Sequence, residues 1–262
     1  MESPDIHGRY TIDDVGRLYE VGDEQWLPSV STVLDMRKTP EALKRWKERT
    51  DNYEEIMSYK QNRGTLIHAE CQMPLVPEGP DSGEPIKQIW GEDEEESVEE
   101  LKAHGEYERY QEDLEWAMDA WDMIQLVCNF DTVLDVETYV ANTDIGYAGQ
   151  FDLLYQDEEA GETVLADLKT SKYVYDKHQL QLSAYEMAVP MAIDRMEVIR
   201  LNPDKKDWFV SSSHDWNTPI EEMQSEFIRL RGELEQQKLK TIVDTIGSFD
   251  KSDDGVMYEE MG

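Results

Sequence analysis

The sequence predicts an α/β fold: a mixed β-sheet core flanked by helices, with an N-terminal helical region ahead of it. Three observations predict it. Apolar residues recur at three-to-four spacing between residues 39 and 128. The pattern then switches to period two. From residue 131 the order strand, strand, strand, helix, strand sets helices against a mixed sheet. An apolar content of 39%, with seven Trp and thirteen Tyr, is enough for a core in 262 residues.

Residues 1–30 read as short strands or loops ending at Pro28. The run Pro28-Ser29-Val30-Ser31-Thr32-Val33-Leu34 leads into a basic helical region. There Thr39 is the expected N-cap and Pro40 the first helical residue, with Leu43 and Trp46 on one face. A second start is expected at Asp51, with Glu54 three residues on as in a capping box. Tyr53, Ile56, Met57 and Lys60 continue at helical spacing. Gly64 is expected to open a short helix through Cys71, stopped by Pro74. Residues 74–93, rich in Pro, Gly and acids, read as a loop. A long helix is expected over 94–128, with Tyr107, Tyr110, Leu114, Ala117, Trp121, Ile124 and Cys128 as its stripe, and Gly105 a place to break it. Trp116 and Trp121 read as packing residues.

Val133, Val136, Tyr139 and Val140 mark a strand. A second spans 147–155 and a third 163–170, joined by the acidic turn Asp157-Glu158-Glu159-Ala160-Gly161. A helix over 175–189 follows, then strands over 196–201 and 208–212, then a helix over 219–237. The chain divides into an N-terminal part (1–130), a core (131–240) and a polar tail (241–262) expected to fray, all in one integrated domain.

The charge is extreme. Fifty-nine acids face 25 bases, for a net charge of −34. The acids are spread rather than gathered in a tail: residues 137–190 alone hold ten acids and three bases. Distributed acidity at this level resembles proteins of salt-loving organisms. A haloarchaeon or one of its viruses is the expected source, and an ordinary acidic cytoplasmic protein is the alternative. In molar salt the Debye length is about 3 Å, so self-repulsion is screened. The same screening weakens long-range attraction to nucleic acid. No run is long and apolar enough to span a membrane, and the N-terminus lacks a signal-peptide pattern. Two cysteines, Cys71 and Cys128, fit a reducing setting better than a disulfide scaffold. The expected location is the cytoplasm, or the host's cytoplasm for a viral protein.

One run carries chemistry: GxxD at 149–152, DxK at 167–169 and QxxxY at 181–185, within 37 residues. A strand hairpin can bring Asp152 and Asp167 to one edge. Mg²⁺ takes near-octahedral oxygen ligands and keeps several waters. Two carboxylates, the Leu168 carbonyl, water and a phosphate oxygen would satisfy it, or Mn²⁺. Lys169 shares the face of Asp167, because side chains alternate along a strand. There its ammonium can orient water or stabilise charge on a phosphate. A lone strand acid is ordinarily a solvated group. Asp167, however, interrupts the apolar Val164-Leu165-Ala166-Asp167-Leu168, and charges are seldom buried there without a partner. Gln181 and Tyr185 lie one helical turn apart, placed to touch the lysine and a DNA backbone; a satisfied amide and a packed tyrosine is the plainer reading. Glu137, one strand earlier, is either a further metal or lysine partner or an exposed acid. A neutral His68 suits a metal, and a packed core histidine is the competing reading.

Residues 37–63 are the least acidic stretch, with eight bases against five acids. Arg37, Lys38, Lys44, Arg45, Lys47, Arg49, Lys60 and Arg63 are the expected phosphate contacts. Lys172 and Lys177 flank the motif and are secondary ones. Trp46, Tyr53 and Tyr59 are candidates to stack on unpaired bases, at about 1–3 kcal/mol each; the alternative puts these aromatics in a core.

Together these residues resemble the RecB-type branch of the PD-(D/E)XK nucleases. The pieces are His68, Glu137, GxxD at 149–152, Asp167-Leu168-Lys169-Thr170-Ser171 and Gln181-Leu182-Ser183-Ala184-Tyr185, with PSVSTVL and EALKRWK upstream. The opening is similar to that of mitochondrial genome-maintenance exonucleases and their phage relatives. The resemblance covers roughly residues 28–190, apart from 74–130. It implies a restriction-endonuclease-like core and metal-dependent hydrolysis of DNA, often from ends or on single strands. By position it makes Asp152 and Asp167 metal ligands, with His68 in addition. Lys169 becomes the catalytic lysine, and Gln181 and Tyr185 the accessory motif. Residues 1–130 would form the side where DNA enters, since relatives thread single strands past helices N-terminal to the core. Some relatives carry an iron–sulfur cluster on four cysteines; two distant cysteines predict no such cluster here. His68 and Cys71 at i, i+3 could make half a zinc site, without a second pair.

The expected activity is an Mg²⁺- or Mn²⁺-dependent exonuclease of replication, recombination or repair. DNA is the expected partner, with a helicase or recombinase as accessory and no membrane. The alternatives are a non-catalytic DNA-end or single-strand binding protein on the same fold, and a structure- or site-specific endonuclease. The intact Asp152, Asp167 and Lys169 favour catalysis, because a binding module has no need of all three. No separate recognition domain supports site-specific cutting.

Overall fold

The computed structural model describes residues 6–12, 16–22, 25–78, 85, 87–130, 132–247 and 257–260. Three short strands come first: β1 (Ile6–Ile12), β2 (Gly16–Val21) and β3 (Gln25–Pro28), paired antiparallel in the order β3-β2-β1. Helix α1 (Val30–Leu34) follows, capped by Ser29 Oγ, which accepts the Thr32 N–H at 3.0 Å.

Helix α2 (Glu41–Arg49) starts later than the sequence suggests: Pro40, not Thr39, is the N-cap, and no side chain caps it. Its described side chains join none of the apolar clusters, and Leu43 is 39% exposed. Helix α3 (Tyr53–Gln72) has Asn52 as N-cap, with no capping box at Asp51. No new helix opens at Gly64; α3 runs through it. A Cβ on Gly64 would stand 2.9 Å from Thr170 Oγ1. The glycine serves close packing rather than a break.

The long helix divides at Gly105, whose φ is 70°, into α4 (Glu92–Ala103) and α5 (Tyr107–Val127). Then come β4 (Thr132–Asn142), β5 (Tyr147–Asp157), β6 (Glu162–Lys169), α6 (Asp176–Glu186), β7 (Arg195–Asn202), β8 (Asp207–Ser212) and α7 (Ile220–Gly247). The sheet order is β4-β5-β6-β7-β8, and every pair is antiparallel except β6 with β7. A parallel pair needs a crossover, and α6 supplies it. The tail departs from expectation. Helix α7 overruns residue 237, and β9 (Met257–Glu260) pairs antiparallel with the open edge of β1. Residues 248–256 and 261–262 of that tail lie outside the described set.

Alternation along the strands sends neighbouring residues to opposite faces. Leu154, Leu165 and Val198 meet α1, α6 and α7 through Leu34, Leu182 and Phe227. Leu153, Ala166 and Ile199 meet α3, α4 and α5 through Ile67, Leu101 and Trp121. A third cluster docks the small sheet on β4 and β5, with Tyr19, Val21 and Leu27 against Ala141 and Ala148. Among the described residues no helix is long and apolar enough to cross a membrane.

Candidate active site

A cleft of about 1350 Å³ opens between the small sheet, α3, residues 87–94 and the β4–β5 pair. Strand register assembles its acidic end. The β5–β6 ladder ends at Leu153–Ala166, so Asp152 and Asp167 follow directly beyond its last pair. On the other side of β5, the pairs Val136–Leu153 and Thr138–Phe151 bracket Glu137 and Asp152. Helix α3 adds His68, whose Nδ1 is 3.6 Å from Asp152 Oδ2, too far for a hydrogen bond. One ligand atom each from His68, Glu137 and Asp152 lie within 4.8 Å of one another.

Asp152 Oδ2 accepts the Leu168 backbone N–H at 2.7 Å. Leu168, expected through its carbonyl, thus serves the site through its amide, and its side chain is buried in the core. Asp167 is 0% exposed, with Oδ2 2.7 Å from Lys169 Nζ. Lys169 is the group that holds Oδ2, and Asp167 Oδ1 has no hydrogen-bond partner among the described residues. Buried, incompletely satisfied carboxylate oxygens call for an explanation, and a bound ion is one. One imidazole with carboxylate oxygens could hold a divalent cation.

The electrostatics agree. Burial pushes Asp152 up against the pull of Lys169, and Asp167 up to about 6. Burial, then the neighbouring Asp152, raises Glu137 to about 8. Burial opposes the charge on Lys169, but Asp167 and Asp152 outweigh it and raise its pKa. Burial and Lys169 hold His68 down at about 4, which keeps the imidazole neutral. Three carboxylates crowd one ammonium, an arrangement that a divalent cation relieves.

Glu137 reaches the site at a conformational cost. Its φ is 46°, a region that costs a non-glycine residue about 1–3 kcal/mol. Lys87 clamps the strand around it: Nζ donates to Asp135 Oδ1 at 2.6 Å, Val136 O at 2.7 Å and Thr138 Oγ1 at 2.8 Å. Gln72 Nε2 donates to Asp152 O at 3.3 Å, and the same side chain hydrogen-bonds the Glu137 carboxylate. Sequence reasoning missed both residues. Lys87 sat in an expected loop and gave no signal. Gln72 did give one, since it lies one helical turn beyond His68.

The glycine of GxxD has a packing role. A Cβ on Gly149 would lie 2.5 Å from Tyr185 Cε1. Tyr185 is buried against this strand, and Gln181 Nε2 donates to its hydroxyl at 2.9 Å. The two are thus bonded to each other, and both line the cleft.

The expected phosphate contacts divide sharply. Arg63 is 1% exposed and locked to Asp113 at 2.6 Å and Asp204 at 2.8 Å. It is an internal clamp, not a DNA contact. Tyr59 is buried beneath Arg109 with its hydroxyl donating to Asp113 at 2.9 Å, so it is no stacking platform. Lys60 pairs with Asp204 at 3.0 Å, and Lys177 with Asp35 at 2.7 Å. Arg37, Lys38, Lys44, Arg45, Lys47, Arg49 and Lys172 are exposed, with Lys44 at 3.0 Å from Glu41. Trp46 and Tyr53 are half-buried, and Lys47 lies 5.5 Å over the Tyr53 ring. Cys71 is sealed in the α3–α5 core, with no part in the His68 cluster.

No family model and no curated protein matches the chain. Among solved structures, SSO0001 is similar at 15% identity, over 55% of this chain and 68% of that one, with a TM-score of 0.32.

Proposed function

We propose that this chain is an Mg²⁺- or Mn²⁺-dependent deoxyribonuclease of the PD-(D/E)XK type, acting on DNA ends or single strands in replication, recombination or repair. A salt-rich cytoplasm, cellular or of a virus's host, is its setting on this reading, with a helicase or recombinase as accessory partner. The observation that carries it is the meeting of His68, Glu137 and Asp152 from three separate elements in one half-buried group, beside the buried Asp167 and its partner Lys169 on a fourth.

His68, Glu137, Asp152 and Asp167 would hold the cation. Such an ion supplies Lewis-acid stabilisation of charge on a phosphate and acidifies water. The Leu168 amide fixes Asp152 by donating to Oδ2, and Gln72 fixes Glu137. Lys169, beside Asp167, holds an ammonium where negative charge develops on phosphate oxygens. Tyr185, seated on Gly149 and tied to Gln181, keeps β5 in register. The small sheet and residues 87–94 wall the cleft.

The test is cleavage of end-labelled linear and circular DNA, single- and double-stranded, in high KCl. It is run with Mg²⁺, Mn²⁺ or EDTA beside Asp167→Ala. Loss of linear substrate alone, dependent on metal and on Asp167, is the expected result. Cutting of circles means an endonuclease. DNA bound but never cut overturns the enzyme in favour of a binding protein.

A further inference from the structure

A second, smaller cavity of about 480 Å³ lies beyond the C-terminal ends of β6 and β7. Lys169 pairs with Arg200 across these parallel strands. Alternation therefore puts Asp167, Lys169, Arg200 and Asn202 on one face of the sheet. The cavity is one strand away from Asp167 and Lys169, on the same face.

Its walls are unusual for a chain of net charge −34. Lys172 and Lys205 are exposed there. Tyr173 and Phe209 are 56% and 54% exposed, beside the same space. Lys172 Nζ lies 5.1 Å from the Tyr173 ring, and Tyr175 stands edge-on to Tyr173 at 6.2 Å. Arg200 is tied down, its Nη1 donating to Lys172 O at 3.1 Å and to Asp207 Oδ1 at 2.8 Å. This bond fixes the loop that carries Lys172 and Tyr173. Asn202 is 2% exposed and lines the cavity, and its Oδ1 has no hydrogen-bond partner. Exposed rings among lysines, with a buried unsatisfied amide oxygen, match a nucleotide: a π-face, a phosphodiester and a base-edge N–H donor.

We propose that this cavity is a subsite for one unpaired nucleotide of a DNA single strand, next to the scissile position. The base stacks on Phe209 and Tyr173, its edge faces Asn202, and Lys172 and Lys205 take the flanking phosphates. A duplex uses the subsite poorly, because a paired base must first be unstacked and unpaired, at a cost of about a few kcal/mol. The inference rests on the proposed nuclease reading and gives it a preference for single strands.

The test is equilibrium binding of a fluorescein-labelled oligothymidylate of about 12 nucleotides, its abasic counterpart, a duplex and free thymidine monophosphate. Ca²⁺ replaces Mg²⁺ to prevent cutting. Tyr173→Ala with Phe209→Ala should weaken oligothymidylate binding about ten-fold or more. The abasic strand should bind wild type and variant alike. Lys172→Ala with Lys205→Ala should reduce the salt slope of binding by about 1.4, two single-strand contacts at about 0.7 each. Both ring positions are mostly exposed, so matching thermal melts are expected to show intact folds. Unchanged affinity and salt slope, in variants that still cut DNA as wild type does, would remove the subsite and leave the nuclease standing. Tight binding of the free monophosphate, lost in the variants while strand binding is kept, would make the cavity a free-nucleotide site and overturn the proposal. A wild type that neither binds nor cuts DNA would end both readings.

Discussion

Lys169 and the buried Asp167 stand 2.7 Å apart, so each can be removed with a clear expectation. Lys169→Ala is predicted to lower cleavage by at least about a hundred-fold and also to lower the melting temperature, because it leaves the buried Asp167 without its cation; end-labelled cleavage is therefore read at a temperature where circular dichroism shows the variant folded. An active variant would take the lysine out of the mechanism. On the proposed function, Lys87→Met removes the clamp around Glu137, and metal affinity should fall about 10–100-fold, as for other groups that orient ligands; calorimetric titration with Mn²⁺ reads it. Gly149→Ala drives a methyl into Tyr185, at about 1–3 kcal/mol of stability, measured by urea unfolding. The chemistry-bearing residues were legible because their types and spacing were informative. Their supports were not. Nothing local to Lys87 says that its ammonium will reach three acceptors on β4, and the buried role of Arg63 depends on Asp113 and Asp204, far along the chain.

At the scale of elements, α2 and α3 differ although both looked basic and helical. Helix α2 packs into no core cluster, so neutralising Lys44, Arg45 and Lys47 together should cost little stability. On the proposed function it should weaken DNA binding, and gel shifts at two salt concentrations would show whether it does. Helix α3 is held by Arg63, and Arg63→Ala should destabilise by about 3–5 kcal/mol, because it leaves buried acids without their cation. Burial raises Asp204, but the Arg63 and Lys60 hydrogen bonds outweigh it and hold the carboxyl at about 2. Its unfolded value is about 3.9. The stability it contributes is therefore present above pH 4 or so and lost as pH falls towards about 2. Acid unfolding should show wild type losing more stability over that window than Asp204→Asn; equal losses would contradict the pairing. The strand order and the Gly105 break were readable from periodicity and turn residues. The unbroken α3 was not, since whether a glycine breaks a helix or admits a neighbour is decided by Thr170, a hundred residues later.

For the molecule as a whole, 59 acids against 25 bases make self-repulsion a global term. Raising KCl from about 0.1 M to about 1 M shortens the Debye length from about 10 Å to about 3 Å, and the melting temperature should climb with it. A flat or falling curve would mean that local ion pairs such as Arg195 with Asp157, Glu162 and Glu197 dominate. Net charge and fold class were both plain in the sequence. The small sheet's role as a cleft wall was not, because it depends on Tyr19, Val21 and Leu27 finding Ala141 and Ala148 across more than a hundred residues.

The left-handed backbone at Glu137 has a consequence for how this sequence can drift. Glycine adopts that conformation without strain, so Glu137→Gly removes a penalty that the glutamate carries. A library screened only for heat resistance would be drawn to that position and would collect robust proteins lacking a cluster carboxylate. The durability of the fold and the composition of its acidic centre pull in opposite directions at one codon.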